Sequence, residues 1–386
     1  MFKQTKIDKH HFDLIFPNIF DFKGGIQVYS IFLLKALQDV YPEADYDVFL
    51  KYDKQSLIQS QDLQFLSSTR FHYFGDFPKL LQPILFATKI INLGILKRPT
   101  IAISTHVNYA IACYVLKLLT GTPYWVVAHG LEVWDIENNA TKLALTKADK
   151  IISVSNYTRK RLLEDKSIDP EKIVLLPNTF DASQFKINPK PAYLLKRYNL
   201  SNEQPVILTV TRLGRMAKYK GYDQILQALI KVRLHVPNVH FILAGKGDDL
   251  PRINDLVSSL NLQDCVTIAG FVPDEELCDY YNLCDVFALP SKGEGFGIVY
   301  LEALACGKPV LAGNQDGSVD PLAEGELGCL VDPDNVEEIA DNLIQILQGN
   351  CSNPVVYQPE YLQQRTVETY DFSQFRATLA KLVDEH

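Results

Sequence analysis

Short apolar runs alternate with helical patterns along almost the whole chain, and that alternation restricts the fold to parallel sheets covered by helices on both faces. HFDLIFP, TIAIST, PYWVVAHG, KIISVS and KIVLLPN form one set of runs; VILTVTR, VHFILAG, CVTIAG, DVFALP, PVLAG and GCLVD form a second. Strands buried on both faces read as near-continuous hydrophobic stretches, as these do. Between them lie patterns such as IQVYSIFLLKALQDV, where Ile26, Tyr29, Leu33, Leu37 and Val40 recur at helical spacing. The segment PNTFDASQFKINPKPA separates the two sets, is rich in Pro, Asn and small residues, and keeps no period. A chain of 386 residues also exceeds the size at which one core stops growing. The expected organisation is a first α/β domain over 1–183, a second over 184–366, and a helix over 367–386.

In open parallel sheets ligands bind beyond the carboxyl ends of strands, so candidate functional residues are sought there. SKGEGFGIVYLEALACG places Glu294 and Glu302 around a glycine-rich helix start. Gly293, Gly295 and Gly297 leave the backbone uncrowded, so the N–H groups of Phe296, Gly297, Ile298 and Val299 are expected to face an anion with the helix dipole behind them. On a single helix the two carboxylates would be separated by about two turns, roughly 80° of rotation and ~12 Å of rise, offering acceptors at two depths. A loop before a buried helix, with Glu302 solvated, is the plainer reading. Upstream, VILTVTRLGRMAKYKGYDQILQAL supplies Arg212, Arg215, Lys218 and Lys220. Lys220 is preferred as an anion ligand because it directly precedes Gly221 and a helix, with Lys218 as its rival.

Three further elements are weaker. Gly24 and Gly25 open the helix after the first strand, either to meet a ligand or simply to make a tight turn. His129 ends the strand VVAHG, as a ligand contact or a satisfied structural histidine. GFVPDEEL begins a helix near Pro273 with acids in its first turn, which capping preferences alone explain. AGKGDDL lacks the third glycine of a dinucleotide fingerprint and reads as a turn.

Together these motifs resemble, over nearly the whole chain, the retaining GT-B-type glycosyltransferases of group 1. The resemblance implies two Rossmann-like, doubly wound domains facing a central cleft, with the terminal helix crossing back to the first. It implies transfer of a hexose from a UDP- or GDP-linked sugar to an acceptor hydroxyl, with retention, in glycan, exopolysaccharide or glycolipid biosynthesis. Within that family the EGFG...EA element binds the donor, which maps the sugar onto Glu294 and the ribose onto Glu302, with Gly295, Phe296, Gly297 and Ile298 at the helix start. Arg212 and Lys220 would neutralise the diphosphate, although their spacing is longer than the family's usual one, as if by a small insertion containing Arg215 and Lys218. Gly24 and Gly25 would line the cleft, His129 of HGLEVW would contact the donor sugar or its phosphate, and the backbone near Val272 would receive the base. The loop GNQDGSVD, with Asn314, Asp316 and Gly317, is a place where UDP and GDP could be told apart. With no evident nucleophilic carboxylate, front-side attack is implied: the acceptor enters on the face the diphosphate leaves, and a phosphate oxygen takes its proton. A nucleotide-sugar epimerase of the same fold and a non-catalytic sugar-nucleotide-binding protein are the alternatives.

Composition bounds the partners. The histidines show no HExxH, no Asp-x-Asp falls where a metal-bound nucleotide sugar requires it, and seven cysteines are odd in number with no C-x2-C, so no essential metal and no disulfide framework are expected. The net charge of -8, with its acidic excess beyond residue 183, argues against nucleic acid and leaves the first half able to approach an anionic surface. KLLQPILFATKIINLGILKR, from Lys79 to Arg98, mixes Leu and Ile with four cations and no acid. That suits transient membrane docking and a lipid-linked acceptor, or else an ordinary buried helix with solvated lysines. MFKQTKIDKHHFD lacks an apolar leader core and no run approaches the length of a spanning helix, so the expected location is cytoplasmic, peripheral at the inner face of the membrane.

Overall fold

The computed structural model describes residues 10–20, 24–56 and 64–385. The expectation about a leader rests mostly on residues 1–9, outside the described residues. The chain divides into two units: one runs to Thr179 and takes in the chain again from Phe372, and the other is Phe180–Asp371. The second unit therefore extends past residue 366, and the returning helix starts at Phe372 rather than 367.

The first unit holds a seven-stranded parallel sheet: β1 (His11–Phe16), β2 (Asp45–Leu50), β3 (Thr69–Tyr73), β4 (Ile101–Ser104), β5 (Tyr124–Ala128), β6 (Lys150–Ser153) and β7 (Ile173–Leu175). Their order is β3-β2-β1-β4-β5-β6-β7, so the chain winds outward from β1, returns, and winds out the other way from β4. The second unit repeats the plan with β8 (Val206–Val210), β9 (His240–Ala244), β10 (Val266–Gly270), β11 (Val286–Leu289), β12 (Val310–Gly313) and β13 (Cys329–Val331), in the order β10-β9-β8-β11-β12-β13. Each apolar run named above is one of these strands. Both sheets reverse direction at a switch point, β1/β4 and β8/β11, beyond which ligands bind in such folds.

β2 and β3 were not anticipated, for a physical reason. Asp45 and Asp47 interrupt DYDVFL, and Arg70 and His72 interrupt TRFHY, so neither reads as a buried run. Asp47 is nevertheless fully buried, because it accepts hydrogen bonds from His11 (2.7 Å), His72 (2.8 Å) and Lys97 (2.6 Å). Three donors offset the desolvation of one carboxylate and hold its pKa far below the usual range, against burial pulling it upward.

Each sheet buries its own apolar cluster. In the first unit Ile15, Phe49, Phe86, Ile90, Leu116 and Val126 pack under the helices Gln82–Lys97 and Ala110–Thr120. Gly94 permits the close approach of those two helices, since a Cβ there would lie 2.5 Å from Leu116. In the second unit Tyr222, Leu226, Leu229, Phe241, Ile339 and Leu343 join the helices Tyr222–His235 and Val336–Leu347 to their sheet. The expected linker is packed rather than loose: Phe180 and Phe185 are buried, and Phe185 meets Tyr281 edge-on at 6.0 Å. Helix Phe372–Asp384 lies on helix Gly25–Val40 of the first unit through Phe32–Phe372 (5.4 Å), Tyr29–Phe375 (5.3 Å) and Arg376–Asp39 (3.2 Å).

Candidate functional site

At the carboxyl edge of the second sheet, the loop after β8 carries Arg212 and then a 3-10 turn, Arg215–Lys220. It is braced from β9: Thr211 N–H donates to Ala244 O (2.9 Å), Leu213 N–H to Lys246 O (2.8 Å) and Asp249 N–H to Leu213 O (3.0 Å). The glycines of AGKGDDL serve this brace. A Cβ on Gly245 would lie 1.8 Å from Thr211 O, and one on Gly247 1.7 Å from Leu213 O. Asp249 is held in turn by Tyr222 Oη (3.0 Å) and by Arg252, which also grips Asp223 with two bonds of 2.9 Å.

Gly221 ends the turn with φ of 80°, and a Cβ on it would meet Pro290 O at 2.2 Å. That approach sets Lys220 against the loop that follows β11, where its ammonium pairs with the Glu294 carboxylate. Burial pulls the lysine pKa down, but Glu294 outweighs it and the net shift is upward, with Arg212 near enough to oppose the rise. Three of the expected ligands, Arg212, Lys220 and Glu294, thus gather at one edge. Lys218 is exposed and makes its electrostatic contact with Asp249 instead.

The two glutamates do not share a helix. The helix is Ile298–Ala305, and Gly297 before it has φ of 91°, so Glu294 belongs to the preceding loop. The two-turn geometry expected for the pair therefore does not apply. Glu302 sits on the second turn of the helix, where Tyr281 Oη donates to it at 2.6 Å. The glycines are also less open than expected. A Cβ on Gly293 would be 2.6 Å from the Tyr219 ring, and one on Gly297 2.3 Å from Tyr300. Phe296 is buried and packs edge-on against Tyr370 at 5.4 Å, anchoring the loop. No side chain caps the helix at Gly297, so its first N–H groups have no side-chain acceptor there.

Asp316 fixes the loop from β12. Wholly buried, it accepts from Glu294 N–H (2.6 Å) and Ser318 N–H (2.9 Å), while Gly317 N–H donates to Glu294 O (2.8 Å). A Cβ on Gly317 would lie 2.1 Å from Gly295 O. Burial raises the Asp316 pKa to about 6, against the hydrogen bonds from Ser318 and the Glu294 amide. Asp316 and Gly317 are thus spent on holding Glu294 in place; the D-x-S turn signal was visible in sequence, but its target was not. After β10, Val272 is buried and the exposed ring beside it is Phe271, with Lys246 Nζ 4.4 Å from its centroid.

The first unit places its candidates at the same edge of its own sheet. Gly24 is the N-cap of helix Gly25–Val40, with no side-chain cap, and a Cβ on Gly25 would meet nothing within 4 Å. His129 follows β5 and stands edge-on to Tyr29 of that helix at 5.0 Å. Its backbone N–H donates to Glu132 at 2.5 Å, a contact that sequence reasoning missed. Burial pushes the His129 pKa down to about 3, His106 adds to this, and a hydrogen bond to the Thr105 backbone opposes it. The ring is therefore neutral near pH 7, and its Nε2 is buried without a partner. Among the described residues, His11, Asp13 and Asp47 bring possible metal-ligating atoms within 4.8 Å, but there Asp47 already serves Lys97.

Comparison with known proteins agrees with this geometry. Residues 194–361 match the family described as Glycosyl transferases group 1, and residues 23–184 match Glycosyltransferase Family 4. The chain is 35% identical over 208 residues to the GDP-mannose-dependent alpha-(1-6)-phosphatidylinositol monomannoside mannosyltransferase of Mycobacterium tuberculosis, covering 52% of this chain and 52% of that protein. It thus spans about half the length of the curated relatives it matches. Anabaena HepE, solved with UDP and glucose, superposes with a TM-score of 0.81 at 18% identity over 98% of this chain and 100% of that one. Sucrose-phosphate synthase of Thermosynechococcus elongatus gives 0.81 at 21% identity, over 98% and 99%. With a glycosyltransferase family matched over each half and both sheets wound alike, the chain has the GT-B fold, its second unit carrying the match to the group 1 glycosyl transferases.

Proposed function

We propose that this protein transfers a hexose from a nucleotide-diphosphate sugar to the hydroxyl of a lipid-linked acceptor, with retention of anomeric configuration. The observation that carries the reading is the Lys220–Glu294 pair beside Arg212, set against a helix start that no side chain caps. Cations and uncapped backbone donors gathered at one sheet edge suit a diphosphate leaving group, whose charge grows as the anomeric bond breaks. Glu294 would accept from sugar hydroxyls and Glu302 from the ribose. A neutral His129 has no positive charge to offer a phosphate, so its unpartnered Nε2 fits a sugar hydroxyl better. No residue is assigned as nucleophile; a diphosphate oxygen would take the acceptor proton on the face it departs from. The residues at this site need no metal for these roles, and none is assigned.

The lipid acceptor is supported by the helix Gln82–Lys97 and the turn before it. Only Gln82, Phe86, Ile90 and Gly94 of that helix are buried. Leu80 (90% exposed), Leu96 (77%) and Ile84 (64%) face solvent with Lys79 and Lys89, which an ordinary buried helix would not allow. Apolar side chains among cations fit the headgroup region of an anionic bilayer. The mycobacterial relative acts, by its name, on a phosphatidylinositol mannoside.

The test is a panel of UDP- and GDP-sugars with phosphoinositide and polyprenyl-linked acceptors, read by nucleotide release, product mass and the anomeric proton coupling. Acceptor-dependent release and a product keeping the donor's configuration are expected. Conversion of the donor alone would indicate an epimerase, and binding without turnover across the panel would indicate a binding protein.

A further inference from the structure

Helix Asp274–Leu283 carries Cys278, and Cys306 closes helix Ile298–Ala305, the helix of Glu302. Their sulfurs stand 3.9 Å apart. Cys306 is fully buried, whereas Cys278 is part-exposed. Two N–H donors point at the Cys278 sulfur, from the Lys186 backbone (3.5 Å) and Asn282 Nδ2 (3.4 Å). Asn282, itself fully buried, is fixed by donating to Lys186 O (2.8 Å) and accepting from Asn188 N–H (2.9 Å).

We propose that Cys278 is a hydroperoxide-reactive thiol that forms a reversible disulfide with Cys306. The donors around Cys278 stabilise its thiolate, which is the nucleophilic form. Its pKa falls to about 6, chiefly through the Cys306 S–H and against burial, while burial pushes Cys113 and Cys284 up to about 12. The thiolate attacks one oxygen of the hydroperoxide; the O–O bond breaks, the other oxygen leaves as water or alcohol after taking a proton, and sulfur becomes a sulfenic acid. The Cys306 sulfur then attacks the Cys278 sulfur, the S–O bond breaks, and hydroxide leaves with the Cys306 proton as water. Two electrons pass from the thiol pair to the peroxide.

Bonding requires the sulfurs to close to about 2.05 Å, so the end of one helix has to move. The same two helices are joined by the 2.6 Å bond from Tyr281 to Glu302. Oxidation therefore pulls on the glutamate assigned to the ribose; this consequence rests on that assignment, while the thiol chemistry does not.

The experiment uses the full chain with Cys329→Ser and Cys351→Ser, because those two sulfurs lie 3.1 Å apart and would also pair. The protein is treated with stoichiometric hydrogen peroxide and mapped by mass spectrometry with and without dithiothreitol. A Cys278–Cys306 linked peptide, lost on reduction, is expected; Cys306→Ser should instead accumulate a dimedone-reactive sulfenic acid at Cys278. Iodoacetamide should label Cys278 with a pH midpoint well below the ordinary thiol value of about 8.5. No linked peptide, or labelling of Cys278 no faster than of the buried thiols, overturns the proposal. Donor affinity should fall about fivefold or more on oxidation; a disulfide that forms without changing it supports the thiol pair and counts against the role of Glu302.

Discussion

Lys220 and Glu294 neutralise one another, so an incoming diphosphate competes with a carboxylate for one ammonium, and Arg212 brings a second positive charge close to that lysine. Replacing Arg212 with Ala should lower kcat/KM by about 10² to 10³, the usual loss for one donor to a developing oxyanion; turnover within twofold of wild type would remove Arg212 from the site. Gly25 gives a different kind of test. Its Cβ position is open in the protein itself, so the fold does not demand glycine there. Gly25→Ala should leave stability unchanged or raise it by about 0.4–1 kcal/mol, yet cut kcat/KM roughly tenfold if a ligand occupies that space, an estimate of about 1.4 kcal/mol. Thermal melts beside kinetics would separate the two, and unchanged kinetics would mean that Gly25 only makes the turn.

At the scale of elements, the outward face of helix Gln82–Lys97 lets the proposed membrane contact be tested apart from catalysis. Ile84→Glu with Leu96→Glu should abolish co-sedimentation with anionic vesicles while leaving turnover of a water-soluble acceptor analogue intact; wild-type binding by this variant would place the contact elsewhere. Within β1, Asp13 is buried with neither carboxylate oxygen hydrogen-bonded. Burial raises its pKa to about 7, His11 and Lys97 opposing and Asp47 adding to the rise. The folded chain thus holds a proton that an unfolded aspartate releases near pH 4, and this contribution to stability, complete below that pH, is lost as pH rises to about 7. Asp13→Asn should therefore gain stability relative to wild type between pH 4 and pH 8, by on the order of 2–4 kcal/mol. Parallel denaturant titrations at the two pH values check it, and a pH-independent difference would contradict it.

For the molecule as a whole, the winding was legible because strands buried on both faces must be apolar throughout, and each such run became a strand. β2 and β3 escaped because Asp47 reaches burial through partners brought from β1, β3 and the end of a distant helix, which one segment cannot announce. The residue types that meet at the edge of the second sheet were legible, and Lys220, preferred as an anion ligand because it precedes Gly221, is the lysine that pairs with Glu294. Its geometry was not legible. A glycine signals freedom without saying how that freedom is used, and the left-handed Gly297 takes Glu294 off the helix that carries Glu302. Asp316 likewise read as a specificity element, although its carboxylate is consumed in holding the Glu294 backbone.

The central claim is that Lys220 holds a diphosphate and Glu294 the sugar beyond it. Calorimetric titration of wild type, Lys220→Ala and Glu294→Ala with a nucleotide sugar and with its nucleoside diphosphate tests this most directly. Lys220→Ala should weaken both ligands about tenfold or more, since bonds to charged groups contribute about 1.5–3 kcal/mol. Glu294→Ala should bind the diphosphate at least as tightly as wild type, its lysine released, while losing affinity for the nucleotide sugar. Undiminished affinity of Lys220→Ala for both ligands would contradict the account.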